Sequence, residues 1–137
     1  MILNIHKPVG WTSFDVVKKI RGIVKEKKVG HGGTLDPFAE GVLIIGTGKD
    51  TKRLTMITAE DKSYVATIQL GEITNTLDTE GDIIETKPVP ELTSEIIEKT
   101  IKTFLGKTFQ IPPMFSAKKV KGQRLYKLAR KNIEVKR

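Results

Sequence analysis

Apolar residues in the first third of the chain follow strand-like and helix-like rhythms in turn. Residues 1–5, Met1-Ile2-Leu3-Asn4-Ile5, read as a short strand ended by Lys7-Pro8-Val9-Gly10. Thr12-Ser13 then supplies a helix cap, with Asp15 in the first turn at the positive end of the dipole. Val16, Val17, Ile20, Ile23 and Val24 recur at helical spacing and predict the buried stripe, with Lys18, Lys19, Arg21 and Lys25 on the other side. Residues 30–41 read as a Gly-rich loop, followed by an apolar strand over 42–45. Asp50 is placed to cap a short helix through Leu54 and Ile57.

Further on, Tyr64, Ala66, Ile68 and Leu70 alternate with Val65, Thr67 and Gln69, which predicts a strand with a mainly apolar face. A polar connection over 71–81 leads to a strand over 82–86, and Pro88 and Pro90 break the chain. A helix is expected over 94–105, with Ile97, Ile101, Phe104 and Leu105 inward and Gly106 as its stop. After Ile111-Pro112-Pro113, residues 123–131 read as helical. Helices and strands are mixed without a repeating βαβ order, so the fold class is α+β.

A length of 137 residues allows one domain with a real core. The absence of Cys excludes a disulfide framework, a thiolate metal site and a Cys nucleophile. Apolar runs such as Val42-Leu43-Ile44-Ile45 are too short to span a bilayer. The first residues lack the layout of a signal peptide, so a soluble, cytoplasmic protein is expected.

Charge changes the picture more. Residues 116–137 carry nine basic side chains against the single acid Glu134, whereas residues 1–53 stand at +5 and residues 54–115 at −5. A polyanion is therefore drawn to the two ends of the chain and repelled by the middle. Tyr126 sits among Lys121, Arg124, Lys127, Arg130 and Lys131, a mixture that suits phosphate contacts beside a stacking surface. A solvated helix face is the plainer alternative. Membrane binding is not expected, because the run has no broad apolar face with large anchors.

Gly30-His31-Gly32-Gly33-Thr34-Leu35-Asp36-Pro37 is the most unusual stretch. Its glycines permit backbone conformations or close approaches closed to other residues, and Pro37 restricts Asp36 to extended geometry. The result is a carboxylate held in a fixed pose, or a tight turn in which Asp36 caps local N–H groups. Gly46-Thr47-Gly48-Lys49-Asp50 is not a phosphate loop: Asp50 stands where Ser or Thr is needed, and Leu43 replaces the first Gly. His6 and His31 are the only histidines and form no HExxH pair, so no metal site is expected.

The run from Gly30 through Asp36 to Leu43 closely resembles the active-site motif of the bacterial tRNA pseudouridine synthase B (TruB) family. Lys7-Pro8-Val9-Gly10-Trp11-Thr12-Ser13 is similar to that family's N-terminal motif, and Tyr64 with Leu70-Gly71-Glu72-Ile73-Thr74-Asn75-Thr76-Leu77-Asp78 to its next block. Ile111-Pro112-Pro113-Met114-Phe115-Ser116-Ala117-Lys118-Lys119, continuing to Arg124-Leu125-Tyr126, resembles its thumb. The resemblance implies a mixed, largely antiparallel sheet flanked by helices, with residues 107–137 a basic thumb that grips RNA.

It further implies isomerisation of uridine-55 in the TΨC loop of tRNA to pseudouridine, with Asp36 the essential carboxylate. The chemistry is an internal rearrangement that calls for no redox cofactor, nucleotide or metal. A stacked uridine must flip out to reach a carboxylate. By the same resemblance His31 fills the space the base leaves and Tyr64 stacks on the uracil. Lys7, Gly33 and Thr34 belong to the substrate-binding set, and Lys118, Lys119, Arg124 and Lys127 hold phosphates.

The family's Gly-Thr-Tyr-Ile-Arg type motif, whose arginine pairs with the aspartate, does not occur in these residues. The chain is therefore expected to be the first half of such an enzyme, weak in RNA binding and poor in turnover by itself, with a complementary C-terminal half as a partner. A non-catalytic RNA-binding or chaperone-like module is the alternative.

Overall fold

A computed structural model describes residues 1–136; Arg137, the last cation of the basic segment, lies outside the described residues. Two compact units form, Met1–Ala66 and a second beginning at Thr67. The class is α+β, with small antiparallel sheets and helices.

In the first unit, β1 (Ile2–Lys7), β2 (Val29–Gly32) and β3 (Gly41–Thr47) form an antiparallel sheet in the order β1-β3-β2. Leu3 lies opposite Ile45 and Ile5 opposite Leu43, so alternation on each strand brings four aliphatic side chains to one face. Helix α1 (Ser13–Val24) covers that face, and Val16, Val17, Val29, Leu43 and Ile45 form the core. Leu3, Ile5, Ile20, Val24 and Leu35 pack against it. The helix begins where expected: Thr12 accepts from the Asp15 N–H, and the Asp15 carboxylate accepts from the Thr12 N–H at 2.9 Å, a complete capping box.

Four expectations for this unit need correction. Ile23 is 64% exposed, because a sheet of three strands covers only the centre of the helical stripe. Arg21 is half-buried rather than outward, and its Nη2 donates to the Val29 carbonyl at 3.4 Å. The stretch 30–41 is not all loop, since Gly30, His31 and Gly32 belong to β2. A Cβ on Gly32 would stand 3.3 Å from the Leu54 side chain and 3.4 Å from that of Thr58, so the bare backbone lets those residues close over the strand. Finally, Asp50 lies inside the 3₁₀ turn Gly48–Arg53 that precedes α2 (Leu54–Ile57) and does not cap it; its carboxylate pairs with the Met1 ammonium at 3.0 Å and Arg53 at 3.3 Å.

Gly22 is exposed in the interior of α1, and a Cβ there would meet nothing within 4 Å. Its φ is not among the positive values, so Ala fits the same backbone. Gly22→Ala is expected to raise stability by about 1 kcal/mol through helix propensity alone, read as a higher urea midpoint at unchanged slope.

The second unit holds the hairpin β4 (Glu72–Thr74) and β5 (Ile83–Thr86), helix α3 (Ser94–Lys102), the short ladder β6 (Lys119–Val120) and β7 (Gln123–Arg124), and α4 (Leu125–Ala129). The strand expected over 64–70 does not form; every one of those residues is exposed, and among the described residues no strand pairs with them. Alternation gives a strand its two faces, but without a partner the backbone N–H groups stay with water. The connection 71–81 is not wholly irregular, because β4 lies in it.

Helix α3 stops at Lys102 and not at 105: Thr103, Phe104 and Leu105 donate to Thr100, Ile101 and Lys102, the tighter three-residue bonding of a closing turn. Ile97, Ile101, Phe104 and Leu105 are not buried. The first three line an apolar groove of about 600 Å³ with Ile68, Val89 and Ile96. Only residues 125–129 of the expected helix 123–131 are helical, because Gln123 and Arg124 pair with β6. Leu125 and Leu128 of α4 are buried. No described helix is long and apolar enough to cross a membrane.

Candidate active-site loop

The loop between β2 and β3 carries Asp36, and both of its neighbours are fastened to other elements. On one side, Leu35 donates its N–H to Ser13 Oγ at 3.0 Å, and the same hydroxyl donates to the Leu35 carbonyl at 3.1 Å. Ser13 is buried at the first turn of α1, so the capping box that fixes the helix start also fixes this anchor. On the other side, the Pro37 carbonyl accepts from the Gly10 N–H at 2.7 Å and from Lys7 Nζ at 3.5 Å. Asp36 itself is exposed; its carbonyl accepts from Ala39 N–H at 3.1 Å, and among the described residues its carboxylate makes no hydrogen bond or ion pair. It does not cap local N–H groups. A carboxylate with a pinned backbone and free oxygens is ready to accept a proton, to attack a carbon centre or to receive a donor from a substrate.

Gly33 has φ +92°, a left-handed conformation that lets the chain leave β2 sharply. The His31 ring donates from Nδ1 to the Gly33 carbonyl, which fixes the ring against the loop entrance. Thr34 follows on the exposed rim, and Glu40 at the far end pairs with His6 at 3.6 Å.

Lys7 differs from the rest of the expected set. It is fully buried, and its Nζ donates to the carbonyls of Trp11 at 2.6 Å, Pro8 at 3.0 Å and Pro37 at 3.5 Å. Its ammonium is thus part of the loop's scaffold. Tyr64 is 72% exposed and makes no hydrogen bond or ring contact with the loop. Lys118, Lys119, Arg124 and Lys127 lie exposed in the second unit, where Arg130 stands 5.5 Å over the Tyr126 ring. Ser13 was not singled out from sequence as an anchor, because a Ser beside a capping Thr signals only a helix start. Among the described residues no group of three or more His, Asp or Glu side chains could hold a metal ion.

The Thr12 hydroxyl and then the Thr12 N–H, both donating to Asp15, hold its carboxyl below the usual Asp value. A lowered folded pKa adds stability above the unfolded carboxylate range, and that stability is lost as pH falls through the lowered value. Acid unfolding of Asp15→Asn, followed by circular dichroism, is therefore expected to show a shallower acid limb than the parent chain.

The model of the TruB family pseudouridylate synthase N-terminal domain matches residues 21–137. The chain is 52% identical to "tRNA pseudouridine synthase B" of Dehalococcoides mccartyi over 136 residues, 99% of this chain and 45% of that protein. It is 53% identical to the protein of the same name from Bacteroides fragilis, over 98% of this chain and 60% of that one. Among solved structures, a chain of a Cbf5-Nop10-Gar1 complex is similar with a TM-score of 0.58 at 28% identity, over 86% of this chain and 30% of that chain. The chain thus spans about half the length of the curated relatives it matches. With the family model over most of its residues and half of its positions identical to those relatives, the chain belongs to the TruB family of pseudouridylate synthases.

Proposed function

We propose that this chain is the aspartate-bearing part of a tRNA pseudouridine synthase that converts uridine-55 of the TΨC loop. The observation that carries the reading is the exposed, unpaired Asp36 carboxylate on a loop anchored at both flanking peptides. The target uridine leaves the stack to reach it. Asp36 forms a transient covalent bond to the nucleotide as the N1–C1′ bond breaks; the uracil turns, C5 bonds to C1′, the bond to Asp36 is released, C5 gives up its proton and N1 takes one up. The net reaction is an isomerisation, so apart from Asp36 and the exchange of protons the residues need only position and stabilise. His31 occupies the space vacated by the base, Tyr64 stacks on the uracil, and Gly33 and Thr34 bring the loop backbone close to the nucleotide. Lys7 acts through Pro37 as a positioning residue. Lys118, Lys119, Arg124 and Lys127 contact phosphates, an attraction that weakens with salt.

The reading includes the portion of the enzyme that the relatives carry beyond the matched region, supplied as a complementary C-terminal half. The test is release of tritium from C5-labelled uridine in a TΨC stem-loop RNA, with the chain alone and after mixing with the remaining portion of the D. mccartyi relative. Product only after mixing supports the reading in full, and product from the chain alone removes the need for a second half. RNA binding without product in either case points instead to a non-catalytic RNA-binding module, which the basic segment 116–137 favours.

A further inference from the structure

A groove of about 500 Å³ runs along α1, lined by Gly10, Trp11, Asp15, Lys18, Lys19 and Gly22. Trp11, the chain's single Trp, contributes to the scaffold through its backbone, whose carbonyl accepts from Lys7; its indole is left 39% exposed at the groove wall. Lys18 and Lys19 are exposed and, among the described residues, make no hydrogen bond or ion pair, Lys18 exerting only an attraction on Asp15. The one carboxylate in the groove, Asp15, already accepts from Thr12. Gly22 sits where most other residues would favour the helix, and open space lies over it. The groove adjoins the catalytic loop through the Gly10 bond to Pro37.

We infer that this groove is a second RNA subsite, in which the Trp11 indole stacks on an unpaired base and Lys18 and Lys19 contact its flanking phosphates. An aromatic face binds any base, two unpaired cations on the same groove wall attract the phosphates that flank it, and a bare Gly22 lets a nucleotide backbone lie against the helix. The subsite rests on the reading of RNA as substrate and deepens it, since it adds contacts on the Asp36-bearing unit that are independent of the basic segment 116–137. An acidic peptide would use the lysines but gains little from the indole.

The test uses the full 137-residue chain and a TΨC stem-loop RNA carrying single-stranded flanks. Titration is expected to quench the Trp11 fluorescence. Lys18→Glu combined with Lys19→Glu is expected to weaken binding about tenfold at low salt and to reduce the salt slope by one to two. Trp11→Ala is expected to weaken binding with an unchanged salt slope, and Trp11→Phe to restore most of it. Circular dichroism checks that each variant folds. If the parent chain binds the RNA but its fluorescence is unmoved and the variants bind equally well, the subsite is overturned while the RNA reading stands. If the parent chain alone fails to bind the RNA, the titration is repeated after mixing with the remaining portion of the D. mccartyi relative, and failure to bind there overturns both.

Discussion

Lys7→Met is expected to lower stability by about 3 kcal/mol. Methionine nearly matches the lysine stem in volume, so the change isolates the ammonium from the packing. What it removes are the donors to the Trp11, Pro8 and Pro37 carbonyls, made by a side chain with no exposed surface. Those bonds tie the end of β1 to the turn before α1 and to the loop beyond Asp36. A positive charge also suits a ring of carbonyl oxygens better than any neutral donor. Stabilities of small domains are about 5–15 kcal/mol, so this loss leaves a visibly less cooperative chain. Two measurements check it: the urea midpoint, and hydrogen exchange at the Gly10 and Leu35 amides, which should speed up together as the loop loses its anchors. Exchange at Gly10 unchanged from the parent would mean that the Pro37 carbonyl is held by Gly10 alone.

How much of this was legible beforehand follows from how local each cause is. The start of α1 was readable because a capping box is a short-range pattern, Thr12 to Asp15. β1 and β3 were readable because their aliphatic alternation is strong, and their register then brings Leu3, Ile5, Leu43 and Ile45 together. β2 was hidden by its glycines, which look like a loop until Leu54 and Thr58 are seen closing over them. The 64–70 strand failed for the opposite reason: its alternation is clear, but pairing is a property of two segments, and no described segment pairs with it. The motif around Asp36 marks this loop as the candidate from sequence. Its mechanics did not show, because the Ser13 and Lys7 anchors depend on where backbone carbonyls turn, and a Lys in a sequence carries no mark of burial.

Asp36→Asn is expected to do the reverse of Lys7→Met: stability within about 0.5 kcal/mol of the parent chain, and pseudouridine formation by the complemented enzyme reduced about a thousandfold or more. The first half follows from the structure, since the Asp36 side chain is exposed and bonds to nothing among the described residues, while the bonds donated by the Ala39 and Leu35 N–H groups and the bond accepted by the Pro37 carbonyl survive the change. The second half follows from the chemistry proposed for the loop. Asn keeps the shape and loses the charge, so it cannot act as nucleophile or base, yet it still fits beside a flipped uridine. RNA affinity should therefore stay within about twofold, because the phosphate contacts proposed to dominate it lie elsewhere. Tritium release, urea unfolding and RNA titration on the same preparation separate the three quantities. Retained turnover would move the catalytic role to another carboxylate, and lost stability would mean that Asp36 serves the loop rather than the substrate. Both expectations rest on one arrangement: the backbone is held on each side of Asp36, while among the described residues its carboxylate has no partner.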